Sequence, residues 1–190
     1  MIRVFYAFGK TYFNKISDLS LFNQFMDSFN AEYIPCPSCG ARHSCSNFAF
    51  YPRNMISYEK GSVVCNMISV PRVECSSCDS THAILPDVLI PHGSYSLSFI
   101  LKVLRAYFLG KRTVVSLCSH FQISVSTLYA WIHLFKKQKS LWLGILKNAQ
   151  VSSHGFLNLI LSDKTFTDSF HSTFKISFMQ NFKTTLCDSS

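Results

Sequence analysis

The sequence predicts an α+β chain: a small β-rich ribbon, then an all-α module, then a helical C-terminal tail. Three observations predict it. Two Cys-x-x-Cys pairs, Cys36-Pro37-Ser38-Cys39 and Cys75-Ser76-Ser77-Cys78, enclose 35 residues that read as strands and turns. Apolar residues at helical spacing, set off by capping residues, fill the stretch that follows. The chain carries a formal charge of +8, and residues 87–139 hold +6 of it, seven Lys/Arg against one Asp.

The 190 residues are 48% hydrophobic and 15% charged, enough for real cores but better suited to one or two small modules than to one large enzyme domain. The first segment, residues 1–33, contains an amphipathic helix over 17–29, with Phe22, Phe25, Met26 and Phe29 on one face. No run is long enough for a membrane span. The apolar start Val4 to Phe8 stops too soon for a signal peptide, so the expected location is cytoplasmic, where thiols stay reduced.

The second segment is residues 34–86. A Cys-x-x-Cys pair folds into a knuckle that aims both sulfurs at one point, and Gly40 suits the tight turn closing the first. Two knuckles supply the four thiolates that structural tetrahedral zinc prefers, so Cys36, Cys39, Cys75 and Cys78 are the expected ligands of one structural Zn2+. A redox pair would occur once, beside a βαβ pattern; a disulfide framework would need an oxidising compartment. Between the knuckles, Ser46–Tyr51 and Ser62–Val70 read as strands joined by a turn near Glu59-Lys60-Gly61. Cys45 and Cys65 have no close Cys or His at knuckle spacing and read as small buried residues. His43 and His82 could each replace a thiolate; the plainer reading is a polar ribbon residue or a hydrogen bond to a sulfur.

The third segment is residues 87–139. Ser96 caps a helix carrying Phe99, Ile100, Val103, Leu104, Tyr107 and Phe108, and Gly110 ends it. Thr113 caps a short helix to about His120. After the turn Phe121-Gln122-Ile123, Ser124 caps a third helix with Leu128, Trp131, Ile132 and Phe135 inward. That is the layout of a helix-turn-helix, whose last helix enters the major groove of double-stranded DNA. Ser124, Ser126, Thr127 and Ala130 open the third helix, with Ser126, Thr127 and Ala130 expected nearest base edges. Tyr129, Lys111, Arg112, Lys136 and Lys137 are expected on phosphates. Concentrated positive charge favours a polyanion partner.

Ile123 to Trp131 resembles the turn and recognition helix of transposase and resolvase helix-turn-helix domains. There a small residue sits where the two helices cross, and here Cys118 takes that place, which makes it a core residue rather than a metal ligand. The departure is Gln122, where that family usually has glycine; a non-glycine residue at positive φ costs on the order of 1 kcal/mol. Cys-Pro-x-Cys-Gly, strands and a second knuckle resemble the N-terminal zinc ribbon of insertion-sequence transposases, which place a helix-turn-helix directly after it. Small bacterial proteins with this ribbon are similar too, down to a Thr-His-Ala-hydrophobe-Leu-Pro stretch at Thr81–Pro86. The resemblance covers about residues 34–138.

The fourth segment, residues 140–190, reads as a helical extension in which Phe166, Phe170, Phe174, Phe178 and Phe182 repeat every four residues. On a helix these form an aromatic stripe, either core or a partner interface. About 50 residues with only Asp163, Asp168 and Asp188 as acids are too few for the RNase-H-like domain that the resemblance would supply. Serine elbow, P-loop and His-Glu-x-x-His patterns are missing as well. The expectation is a non-catalytic DNA-binding protein: a regulator, or the targeting portion of a mobile-element protein, as a homodimer or with a transposase-related partner. The alternative is an adaptor whose zinc ribbon and aromatic tail bind protein. A catalytic subunit completed by a partner chain is the third reading.

Overall fold

A computed structural model describes residues 2–6, 16–145, 151–163 and 165–181. In chain order the elements are β1 (Ile2–Tyr6), α1 (Asp18–Ser28), a 3-10 turn (Ala31–Tyr33), β2 (Cys45–Glu59), β3 (Ser62–Cys75), β4 (Thr81–Pro86), α2 (Leu97–Phe108), α3 (Val114–Phe121), α4 (Val125–Ile145), α5 (Ser153–Ser162) and α6 (Phe166–Phe174). The class is α+β. β2, β3 and β4 are antiparallel, and β1 joins β4 in parallel, giving the order β1-β4-β3-β2. Among the described residues no helix is long and apolar enough to cross a membrane.

The β2–β3 hairpin is longer at both ends than the sequence suggests, running from the pair Cys45 and Cys75 to the pair Glu59 and Ser62. Pro52 does not stop β2, because β2 is an edge strand and needs no N–H on its open side. Phe48 is an extra residue at a bulge between Asn47 and Ala49. The turn holds Lys60 at φ 48° and Gly61 at φ 85°, the paired left-handed geometry of a two-residue hairpin turn. Alternation along β3 buries Ile68 and Val70 and leaves Cys65, Met67 and Ser69 outside. Cys65 is therefore exposed rather than buried.

Helix α1 starts where the sequence places it: Ser17 Oγ accepts from the Ser20 N–H. Its Leu21 and Phe22 pack on Met55, Ile68, Val70 and Leu85, while Phe25 packs beside Val73, Cys75 and Ile84. Buried Asp18 ties α1 to α2, accepting from the hydroxyls of Ser96 at 2.5 Å and Ser98 at 2.6 Å. Ser96 also accepts from the Phe99 N–H, so one side chain caps α2 and bonds α1. That link between distant segments leaves no trace in the local pattern.

The largest core is helical. Phe99, Val103 and Leu104 of α2 meet Leu117 and Phe121 of α3, Leu128, Ile132 and Phe135 of α4, and Phe156, Ile160, Phe166 and Phe170 of the C-terminal helices. Helix α4 continues to Ile145, so the boundary at 139 falls inside a helix. The reason is packing: Leu143 is buried, and Trp142 lies against Phe166, Phe170 and Phe174. The aromatic repeat is not one helix, because Lys175 at φ 58° ends α6 and Phe178 folds back onto Phe166 and Phe170. Phe182 lies outside the described residues. Buried Gln138 of α4 holds this return, donating to the Gln180 carbonyl at 2.8 Å and accepting from the Met179 N–H at 2.7 Å.

Asp87, just past β4, accepts from the Thr167 hydroxyl of α6 at 3.0 Å. Burial pushes its carboxyl up to about 6, against the pull of Thr167. A raised folded-state pKa favours the protonated form, so this contribution is whole below about pH 4 and is lost as pH rises through about 6. Asp87→Asn keeps an oxygen for Thr167 and removes the ionisation. In urea melts it should match the parent near pH 3 and exceed it at pH 8 by roughly 1–3 kcal/mol. Equal stability at pH 8 would show that the carboxylate is solvated and uncosted.

Candidate functional site

The two knuckles have the same backbone geometry. In the first, the Cys36 N–H donates to the Ala41 carbonyl at 2.9 Å and the Gly40 N–H to the Cys36 carbonyl at 2.8 Å. In the second, the Cys75 N–H donates to the Ser80 carbonyl at 3.0 Å and the Asp79 N–H to the Cys75 carbonyl at 2.8 Å. Each turn needs a left-handed residue one place after its second cysteine. Gly40 supplies it at φ 74° and Asp79 at φ 54°. Glycine does this without strain, and aspartate is one of the few other residues that tolerate it.

The four sulfurs converge: the Cys36, Cys39, Cys75 and Cys78 Sγ atoms all lie within 4.8 Å of one another, and these residues could hold a metal ion. Cys36 and Cys78 are 3.6 Å apart, Cys39 and Cys75 3.8 Å. A tetrahedral ion with metal–sulfur bonds of about 2.3 Å requires sulfur–sulfur edges of roughly 3.8 Å. A disulfide requires about 2.05 Å, and all the described cysteines are free thiols. Hydrogen bonds from the side chain and backbone N–H of Ser80 hold the Cys78 thiol down to about 6. The Ala41 N–H also favours ionised Cys39, but desolvation and the three neighbouring thiols push that group up to about 12. Four adjacent thiols resist shedding all their protons together, and a cation at their centre relieves that repulsion.

The neighbours of the tetrad sort as their spacing suggests. His82, fully buried on β4, sets Nε2 3.4 Å from Cys36 Sγ. His43 is exposed and stands edge-on to Tyr33. Cys45 is buried beside its strand partner Cys75 but is not one of the four; burial, then the thiols of Cys75 and Cys36, push it up to about 11. A thiol so far up keeps its proton at neutral pH.

The second candidate surface is α3, the turn and α4. Thr113 Oγ1 accepts from the Ser116 N–H, and Ser124 Oγ from the Thr127 N–H, so both expected caps form. Gln122 takes the left-handed conformation, φ 52° and ψ 44°, that glycine would adopt without cost. Cys118 is buried in the core, and its carbonyl accepts from the Ile123 N–H. Of the residues expected at nucleic acid, Lys111, Arg112, Ser124, Ser126, Tyr129, Ala130, Lys136 and Lys137 are exposed and Thr127 is half-buried. The Thr127 and Ser126 hydroxyls each lie 2.8 Å from Ser124 Oγ, so all three serve the cap.

One feature escaped the sequence reading. His133 is exposed on α4, three residues after Ala130 and four after Tyr129, and helical spacing alone would have found it. Between Asp87 and Asp163 the chain carries no acid at all, so α2, α3 and α4 present positive charge with no carboxylate of their own. Lys102 is spent internally, donating to the Tyr58 carbonyl at 3.0 Å.

A family model described as a domain of unknown function, DUF6431, matches residues 36–131, from Cys36 to the second turn of α4. No curated protein matches the chain. No solved structure matches it either.

Proposed function

The chain belongs to the DUF6431 family, and from its own residues we propose that it is a non-catalytic DNA-binding protein, a transposase-like targeting module or a transcriptional regulator. In this reading Cys36, Cys39, Cys75 and Cys78 hold one structural zinc that fixes the ribbon. Four protein ligands leave no open position for a reacting water. α3, the Gln122 turn and α4 act as a helix-turn-helix, with α4 in the major groove of duplex DNA. Tyr129, Lys111, Arg112, Lys136 and Lys137 hold phosphates. Ser126, Thr127 and Ala130, joined by His133, lie nearest the bases. Since the Ser126 and Thr127 hydroxyls serve the cap, Ala130 and His133 are the side chains best placed for base edges.

The observation that carries the reading is the acid-free run from α2 through α4 with Lys and Arg exposed along it. A protein adaptor using the aromatic tail has less to stand on, since Phe166, Phe170 and Phe178 are buried in the chain's own core. Titration against labelled duplex DNA at two salt concentrations tests the proposal. Replacing Lys136 and Lys137 together by alanine should weaken binding to every sequence and reduce the log-log salt slope by roughly 1–2. No detectable binding at low salt, or an unchanged slope in the double variant, would hand the assignment to the adaptor.

A further inference from the structure

The long hairpin does not end in solvent; its far end is fastened to the helices. Tyr58 Oη lies 2.7 Å from His120 Nε2, and the Tyr58 ring stands 4.9 Å from Phe121. Lys102 of α2 grips the Tyr58 carbonyl, and Val63 packs on the same helical core. Two residues back along β2, the Ile56 N–H donates to the Ser94 carbonyl at 2.7 Å and the Ile56 carbonyl accepts from the Ser96 N–H at 2.9 Å. His120 and Phe121 are the last residues of α3, and the cap of α4 follows at Ser124. The hairpin tip is therefore held beside the turn that feeds α4.

We propose that this tip is a second nucleic-acid contact, a wing beside α3–α4, with Lys60 and the backbone of Gly61 against the phosphates flanking the groove that α4 enters. The inference rests on the proposed duplex binding by α4. Lys60, Gly61 and Ser62 are all exposed, a narrow tip with one cation. The acid beside them, Glu59, is half-buried and accepts from the buried Ser57 hydroxyl at 3.0 Å. Lys60 stands two residues from Tyr58, about 7 Å of strand, and a major groove is about 12 Å wide. A duplex seated on the start of α4 thus brings its neighbouring phosphates within reach of the tip.

The test uses the full zinc-loaded chain and a mixed-sequence 24-base-pair duplex. Lys60→Asn removes the charge and keeps the fold, because Asn-Gly is the favoured pair for this turn. It should lower the log-log salt slope by about one unit, as the loss of one phosphate contact requires. Lys60→Glu should weaken binding further and shorten the hydroxyl-radical footprint on one side. If both variants match the parent while Lys136 and Lys137 changes still reduce the slope, the wing is wrong and the α4 reading stands. If the parent shows no duplex binding, both fall together. If Lys60 matters but Lys136 and Lys137 do not, the tip is no wing to α4, and the proposal is overturned in that form.

Discussion

Cys75→Ser should abolish binding of the proposed zinc and unfold the base of the hairpin while leaving most of the helical signal intact. Cys75 is fully buried, ends β3, pairs with Cys45 across the strands and sets its sulfur 3.8 Å from that of Cys39. A serine hydroxyl does not ionise at neutral pH and is a poor fourth ligand, so three thiolates remain. Because the unfolded chain has no preformed site, metal binding is folding free energy, on the order of 10 kcal/mol for structural zinc in peptides. The loss reaches the small core of Phe25, Ile34, Val73 and Ile84 packed around the cysteines, and with it the seat of α1. The core of α2–α6 is a separate cluster and should persist. Metal analysis should give one zinc per parent chain and little in the variant, with loss of sheet signal by circular dichroism. Zinc-free parent protein, or full zinc retention in the variant, would sink the assignment.

Phe170→Ala should destabilise the protein by roughly 3–5 kcal/mol, the usual cost of deleting a buried phenyl ring. Its ring stands 4.6 Å from Phe174, 5.0 Å from Phe178, and 5.9 Å from both Phe166 and Trp142. No small rearrangement refills a hole with four aromatic walls. Urea unfolding followed by tryptophan fluorescence reads the change directly, since Trp142 borders the cavity. A loss under about 1 kcal/mol would mean that the tail contributes little to the core and is open to partners.

The sequence alone placed the four cysteines, the caps Ser96, Thr113 and Ser124, the hairpin turn at Lys60-Gly61 and the strained turn at Gln122. Each is a local effect: a capping oxygen reaches an N–H two or three residues on, and a left-handed turn is set by one residue's φ. Knuckle spacing is local too, and so is the helical period that named Leu128, Ile132 and Phe135 as core. Tertiary structure decided what depends on distant neighbours. It carried α4 past residue 139 because Trp142 and Leu143 had aromatics to pack on, and it broke the phenylalanine repeat so that Phe178 could return to Phe166. It buried Asp18 under two serines of α2, exposed Cys65 through the pleat of β3, and bound Tyr58 to His120 across 62 residues. Those outcomes rest on burial and pairing between segments brought together by folding, and hydrogen bonds and apolar contacts of that kind leave no period, cap or spacing for a sequence to show.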